Sequence, residues 1–171
     1  MLFRSAWASG IVVVAAAGNT GPGAQTITVP GNDPYIITVG AIDSNHTPGD
    51  WSDDVIPSWS ASGPTLDGFA KPDLLAPGVN VPSYMFNDPA DSIKSSKLVR
   101  SHPDFEPTRK YYRLSGTSVA TAVTSGTVAL MLEANPSLTP DEVKYRLQAT
   151  AHASLVQNET DPEERSEEHT S

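Results

Sequence analysis

The chain has 171 residues, 38% hydrophobic and 18% charged, a composition typical of one globular domain with a substantial core. Its net charge of −9 argues against nucleic-acid binding, and the absence of cysteine excludes a disulfide framework, a thiolate nucleophile and a cysteine metal site. No apolar run approaches the length that spans a bilayer, so no membrane partner is expected.

A short helix and a buried strand are predicted at the start of the chain. Residues 3–8 have the character of the last turns of a helix, and Gly10 would end it. One isoleucine and three valines then open residues 11–17, and such a β-branched run predicts a buried strand. Arg4 ahead of an apolar run is also typical of a signal peptide, but the β-branched residues favour the strand.

Further strands are predicted before residue 84, and a long loop after it. Residues 35–42 have the pattern of a strand. Residues 74–78 form a short buried stretch that ends in a turn, and residues 79–83 continue from it. The mixed charge and weak periodicity of residues 87–110 predict a long surface loop.

Two helices are predicted near the end of the domain. The apolar pattern of residues 118–134 predicts the first, with Gly126 allowing close packing and Pro136 preventing its continuation. Thr139 is the expected N-cap of the second helix, with a proline at its first position and Glu142 closing a capping box. Its expected inner face consists of Val143, Leu147 and Ala151.

The order of strands and helices predicts one α/β domain over residues 1–152, with helices on the faces of a sheet. Residues 153–171 are polar and acidic and form a tail that we predict to be disordered or artefactual. The last seven residues also resemble a translated sequencing-adapter oligonucleotide, which would make them an assembly artefact.

A serine at the start of the longer helix is the strongest chemical signal. Gly116 and Thr117 lead into Ser118, and the helical pattern follows at once. The N-terminus of a helix favours negative charge through its N–H groups and its dipole. A serine hydroxyl there is suited to attack a carbonyl and to share in stabilising the resulting oxyanion. The alternative is a plain helix N-cap, for which serine is a preferred residue.

An asparagine follows the first predicted strand. In open α/β sheets, functional residues lie on loops at the carboxyl ends of strands, and Asn19 occupies such a position. Its side-chain amide is a donor that can stabilise a developing oxyanion. The alternative is a turn residue, because asparagine tolerates left-handed backbone conformations.

Six segments, in this order, resemble the subtilisin-like serine proteases, the subtilase or peptidase S8 family. They resemble in turn the strand that carries the oxyanion asparagine, the strand after it, two further family blocks, the nucleophile block and the closing helix. The segments are residues 10–19, 30–41, 60–64, 71–78, 115–120 and 135–150. The resemblance implies a three-layer α/β sandwich with a mostly parallel sheet, here truncated at its N-terminal side.

The resemblance implies a serine endopeptidase that hydrolyses polypeptides through an acyl-enzyme on Ser118. Asn19 would donate to the oxyanion together with the backbone N–H of Ser118. The positions that resemble the family's substrate-binding residues are Ala16, Ala17 and Gly18 on one wall of a pocket, with Ser115 and Gly116 against the substrate backbone. The bond between residues 29 and 30 matches a place where the family often has a cis peptide.

No cofactor is expected for this chemistry, but the resemblance allows structural calcium with unknown ligands. The spacing of the acidic residues identifies no metal site. Carboxylates that could supply oxygen ligands are Asp33, Asp43, Asp50, Asp53 and Asp54. The resemblance also implies that the parent protein is secreted.

The resemblance leaves the aspartate and histidine of the catalytic triad unassigned. In the family their blocks precede the oxyanion strand, and this chain begins at about that strand. No histidine has the glycine- and threonine-flanked setting of the family's catalytic histidine; the four are His46, His102, His152 and His169. Without a base the serine is a poor nucleophile, so we expect the isolated chain to be inactive.

Three alternatives to an active subtilase fragment arise. A non-catalytic subtilase homologue would bind peptides or have a structural role, and the retention of both Ser118 and Asn19 argues against it. Serine-carboxyl peptidases typically have an aspartate in the role of Asn19. The α/β-hydrolases require a second glycine after the nucleophile, which this sequence lacks.

Overall fold

The computed structural model describes residues 2–47, 49–84, 100–101 and 111–152. Within these ranges it has three helices and six strands. In chain order they are α1 (Leu2–Ala8), β1 (Val14–Ala16), β2 (Ile37–Ile42), β3 (Leu74–Pro77), β4 (Val81–Tyr84), β5 (Arg100–Ser101), β6 (Tyr111–Leu114), α2 (Thr117–Ala134) and α3 (Pro140–Thr150). The tail predicted over residues 153–171, and most of the loop predicted over residues 87–110, lie outside the described residues.

A parallel sheet of β1, β2 and β3, in that order, forms the centre of the described fold. Val14 pairs with Ile37, and Val39 pairs with Leu74. The side chains of β2 are buried from Ile37 to Ala41, so both faces of this middle strand are covered, as is typical of parallel sheets. The predicted α/β class is therefore confirmed. Strand β1 is shorter than predicted, because its pairing with β2 begins only at Val14.

A second, antiparallel sheet has the strand order β4-β6-β5. Val81 of β4 pairs with Leu114 of β6, and Arg100 of β5 pairs with Arg113 of β6. The loop prediction is thus wrong at residues 100–101, and β6 was not predicted at all. Both strands are very short and pair with distant residues, so they leave little local pattern in the sequence.

Helix α2 packs across all three strands of the parallel sheet. Its buried residues recur every three or four positions, which places them on one face, and they are Thr117, Ala120, Thr124 and Val128. Gly126 lies on the exposed side, and a Cβ built there would meet nothing within 4 Å. The prediction that Gly126 permits close packing is therefore wrong for the described part of the chain.

Helix α3 begins with the predicted capping box. The Thr139 hydroxyl accepts a hydrogen bond from Glu142 N, and Glu142 Oε2 accepts one from Thr139 N at 2.8 Å. The Thr139 backbone N–H and hydroxyl lower the pKa of Glu142. Val143 is fully buried and Leu147 packs against the core, as predicted. Ala151 is exposed, contrary to prediction, because the helix ends at Thr150 and Ala151 is its C-cap.

Replacing Thr139 with alanine should lower the free energy of unfolding by roughly 0.5–2 kcal/mol, because α3 loses its N-cap acceptor. Urea denaturation of the 171-residue chain, followed by circular dichroism, measures this change. Gln148→Ala, at an exposed position of the same helix, is the matched control and should leave the midpoint nearly unchanged. Equal midpoints for Thr139→Ala and the parent chain would show that the cap does not contribute.

A buried ion-pair network joins α3 to the parallel sheet. Asp73 Oδ2 lies 2.6 Å from Lys71 Nζ, and Asp73 Oδ1 lies 3.1 Å from Lys144 Nζ. Asp73 also accepts from Thr38 N at 2.7 Å. Both lysines donate to the carbonyl of Ile36, at 2.8 and 3.1 Å. The network therefore ties α3 to the start of β2 and to the residue before β3.

The buried core lies between α2, α3 and the parallel sheet, and Trp7 of α1 joins it. Trp7 Nε1 donates to Asp141 Oδ1 at 2.8 Å, which links α1 to α3. Among the described helices, none combines the length and the apolar character needed to cross a membrane.

Candidate active site

The N-terminus of α2 presents Ser118 at the surface. Gly116 is the N-cap and makes no side-chain cap bond, Thr117 is the first helical residue, and Ser118 is the second. The Ser118 side chain is exposed, whereas Thr117 is fully buried. Ser118 is therefore not the helix N-cap, which excludes the plain capping interpretation of this serine.

Asn19 contacts the first turn of α2. Its Oδ1 accepts hydrogen bonds from the backbone N and the Oγ1 of Thr117, both at 2.9 Å. Thr117 Oγ1 in turn accepts from Gly18 N at 3.2 Å. Because the amide oxygen is held against Thr117, the Nδ2 group on the other branch of the amide remains available as a donor.

Two nitrogen donors lie beside Gly116. A Cβ built on Gly116 would lie 3.5 Å from Asn19 Nδ2 and 3.9 Å from the backbone nitrogen of Ser118. Among the described residues, none accepts a hydrogen bond from Ser118 N. Gly116 is itself buried and has a φ of 148°, which residues with a side chain rarely adopt, so no side chain of its own fills the space between the donors. Donors arranged around such a space suit an oxyanion.

The end of β1 is held firmly next to this helix terminus. Ala17 O accepts from Thr28 N at 2.8 Å, and Gly18 O accepts from Ala61 N at 3.0 Å. Gly18 has a φ of 121°, and a Cβ there would lie 2.9 Å from Thr28 Oγ1. Ala17 is fully buried, so its side chain has no surface to offer a substrate, whereas Ala16 and Gly18 are partly exposed.

Ser115 precedes α2 and is also exposed. Its Oγ accepts from Asn80 N at 2.9 Å, while Gly116 N donates to Gly78 O at 2.8 Å. The structure thus brings the predicted residues together, with those after β1 against those at the start of α2. The supporting residues Thr28, Asn80 and Ala61 were not predicted, because they reach the site only through long-range contacts.

The histidines do not complete a triad within the described structure. His46 and His152 are exposed, and neither hydrogen-bonds to Ser118. His102 and His169 lie outside the described residues. The bond Val29-Pro30 is cis, as predicted.

The carboxylates named as possible calcium ligands are mostly bonded to other protein groups. Apart from Asp54, each has its own local partner: Asp33 with Arg4 and Tyr35, Asp43 with Asn45, Asp50 with Ser52, and Asp53 with Thr47. In the part of the chain that the structure describes, no three metal-binding side chains are grouped. Structural calcium stays a prediction.

Comparison with known proteins identifies the family. A family model described as the Subtilase family matches residues 2–168. The chain belongs to the subtilase family. Serine protease AprX of Bacillus subtilis (strain 168) is 48% identical over 145 residues, which cover 84% of this chain and 31% of AprX. Subtilisin DY of Bacillus licheniformis is 36% identical over 148 residues, covering 85% of this chain and 41% of the relative.

Solved structures share the fold of this chain. Sphericase matches with a TM-score of 0.68 and 26% identity over 91% of this chain and 44% of its own. A cold adapted subtilisin-like serine proteinase matches with a TM-score of 0.62 and 28% identity, over 90% and 43% of the two chains. This subtilase chain therefore spans less than half the length of these relatives. The comparisons confirm the predicted family and its subtilisin-like fold.

Proposed function

We propose that this subtilase chain is the C-terminal part of a serine endopeptidase domain in which Ser118 is the nucleophile. The observation that carries the proposal is the pair of hydrogen bonds from Thr117 to Asn19 Oδ1. Those bonds leave Asn19 Nδ2, like the backbone nitrogen of Ser118, within 4 Å of the point that a Cβ on Gly116 would occupy. The arrangement suits a nucleophile that needs its oxyanion donors alongside it.

In the proposed reaction Ser118 Oγ attacks the carbonyl carbon of a peptide bond as its proton passes to a base. The carbonyl oxygen becomes an oxyanion, which Asn19 Nδ2 and Ser118 N stabilise. The carbon–nitrogen bond then breaks and the amine leaves with a proton, so the acyl group remains on Ser118. A water molecule releases the acyl group in a second attack, and the serine regains its proton.

We propose that the base and its orienting aspartate belong to a preceding part of the same domain. Three observations support this. The matched relatives extend well beyond this chain, which covers 31% of AprX and 41% of subtilisin DY. In addition, no described histidine hydrogen-bonds to Ser118. The sheet also has β1 as an outer strand in the described structure, where further strands could pair.

The proposed substrates are polypeptides, in keeping with a protease family. Ala16 and Gly18 are partly exposed and Ser115 is exposed, and these three residues are the proposed contacts for the substrate backbone. Ala17 would help to form the wall of the substrate pocket through its position in the chain, because its side chain is buried. Secretion of the parent protein stays a prediction.

A chimera tests this function. The matched 145-residue segment of AprX is replaced by its counterpart from this chain, so that AprX supplies the remainder of the domain. We expect the chimera to hydrolyse a chromogenic peptide anilide and the isolated 171-residue chain to show no measurable rate. A serine-directed phosphonate should label the chimera at Ser118, as peptide mass spectrometry can establish.

The isolated chain is the matched control for the chimera. Hydrolysis by the isolated, refolded chain would contradict the need for a missing base. A chimera that folds, judged by its circular dichroism, but neither hydrolyses the anilide nor takes the label would favour the non-catalytic homologue. Peptide-binding measurements would then replace peptidase assays.

A further inference from the structure

A cavity of about 580 Å³ lies on the flank of the parallel sheet, along its outer strand β3. Small-molecule sites in proteins have volumes of roughly 300–1,000 Å³, so the cavity has the size of a ligand site. From α2 it receives Val123 and Thr127, and from α3 it receives Leu147. Val123 and Thr127 follow Ser118 by five and nine residues, which is about 8 and 14 Å along the helix axis. The cavity is thus separate from the nucleophile.

Asp54 is a buried carboxyl that lines this cavity. Only 7% of the residue is exposed. Among the described residues, none donates a hydrogen bond or forms an ion pair with its side chain, in contrast to Asp50 and Asp53 nearby. Among the described side-chain atoms only Arg113 Nε is both fully buried and unpartnered, so the unpaired oxygens of Asp54 keep some accessible surface that a ligand can reach.

The electrostatic surroundings of Asp54 disfavour its charged form. Burial raises the pKa of Asp54, and the neighbouring charges of Asp53, Asp50 and Asp43 raise it further. His152 lowers the pKa of Asp54, but none of the described ion pairs joins these two side chains. A cation placed beside Asp54 would relieve both the desolvation and the repulsion.

The chemistry of the lining points to an organic cation rather than a metal ion. Calcium takes six to eight oxygen ligands, and the described residues contain no group of three metal-binding side chains. Asp73 also lines the cavity, but both of its oxygens are bonded to lysines. Asp54 therefore faces the cavity as a single unpaired carboxyl.

Apolar and aromatic groups complete the lining. Leu74, Val123 and Leu147 provide apolar walls. Trp51 stacks on His152 with ring centroids 4.8 Å apart and an angle of 9° between the planes. His152 covers one face of this half-exposed indole ring, and the other face can attract a cation. One carboxyl, apolar walls and an indole are complementary to a single positive charge on an apolar body.

We propose that this cavity binds an organic monocation, an ammonium or guanidinium group on an apolar carrier, through an ion pair with Asp54. The proposal does not depend on the endopeptidase activity, because neither Ser118 nor Asn19 lines the cavity.

Titration of the 171-residue chain with 2-phenylethylamine tests the proposal. Its neutral counterpart, 2-phenylethanol, has the same apolar body without the charge. The indole N–H resonance of Trp51, assigned with Trp51→Phe, and isothermal titration calorimetry report binding. We expect Asp54→Asn to weaken amine binding roughly 10- to 100-fold, the range expected for a charged hydrogen bond, and to leave alcohol binding unchanged.

Three further variants control the measurement. Asp53→Asn changes the neighbouring carboxylate, whose oxygens bond to Thr47, and should leave the affinity for the amine nearly unchanged. Val123→Phe narrows the cavity and should weaken binding of both compounds, which keeps the test decisive if Asp54→Asn does not fold. Ser118→Ala should bind the amine as the parent chain does, so this result is independent of the endopeptidase proposal.

Three outcomes would overturn the cation site. The alcohol could bind as tightly as the amine, or Asp54→Asn could retain full affinity, and either result would exclude recognition of the charge. Amine binding that appears only after deletion of residues 153–171 would show that the end of the chain, rather than a cation, is what fills the cavity.

Discussion

Asp73→Asn should lower the free energy of unfolding by roughly 3–5 kcal/mol, the range for removing one partner of a buried ion pair. The side chains of Lys71, Asp73 and Lys144 are only 1%, 6% and 16% exposed. Asparagine has nearly the same size and can still accept from Thr38 N. The loss would therefore arise from two lysines left without their counter-charge, and urea denaturation of the 171-residue chain measures it.

The loss should also depend on pH. Burial lowers the pKa of Lys71, while Asp73 opposes that shift. Without Asp73 the charged form of Lys71 is less favourable still in the folded chain, so its ionisation opposes folding. The loss of unfolding free energy in Asp73→Asn should therefore become smaller as the pH rises through the lowered pKa of Lys71, because the unpaired lysine then loses its charge.

A surface ion pair provides the control for Asp73→Asn. Arg4 Nε lies 2.7 Å from Asp33 Oδ2, but the Arg4 side chain is 55% exposed. Arg4→Gln should leave the midpoint of unfolding nearly unchanged, because water screens such a pair. Equal losses of unfolding free energy in Asp73→Asn and Arg4→Gln would show that the buried network has no special role in holding α3 to the sheet.

In the active chimera, Asn19→Ala should lower kcat about 10²- to 10³-fold and leave KM nearly unchanged. The reason is that the amide of Asn19 would bind the oxyanion, which exists in the transition state and not in the bound substrate. Initial rates over a range of anilide concentrations separate the two constants. Ser118→Ala defines the residual rate without the nucleophile.

Two variants refine the test of Asn19. Thr117→Val removes the hydroxyl that bonds to Asn19 Oδ1 but keeps the backbone N–H on the same oxygen, so its loss of kcat should be smaller. Asn32→Ala changes an asparagine outside the site and should leave both constants unchanged. A raised KM with unchanged kcat in Asn19→Ala would instead assign Asn19 to substrate binding.

Features with a local cause were predictable from the sequence. The capping box of α3 involves Thr139, Pro140 and Glu142, all within one turn, and the structure has it as predicted. Gly10 ends α1 with a φ of 87°, a conformation that glycine adopts readily. Ala151 shows the limit of such patterns, because its expected inward orientation depended on where the helix stopped.

Features that depend on distant residues were predictable only where a family pattern supplied them. Ser118 and Asn19 were identified as a pair through the resemblance, although 98 residues separate Asn19 from its hydrogen-bonding partner Thr117. Strand β6 has no such support, and its pairing with β4 could not be read from four residues. The cavity beside Asp54 likewise forms from loop, strand and helix residues that are far apart in the chain.

The sequence alone determined the α/β class, the start of α3 and the place of Gly116, Thr117 and Ser118 at the start of a helix. These features depend on periodicity and on contacts within a few residues. The tertiary structure decided the orientation of the Asn19 amide, the partners of Asp73 and the lack of a partner for Asp54. Each of those depends on which distant groups packing brings within hydrogen-bond distance. A local sequence pattern contains no information on that distance.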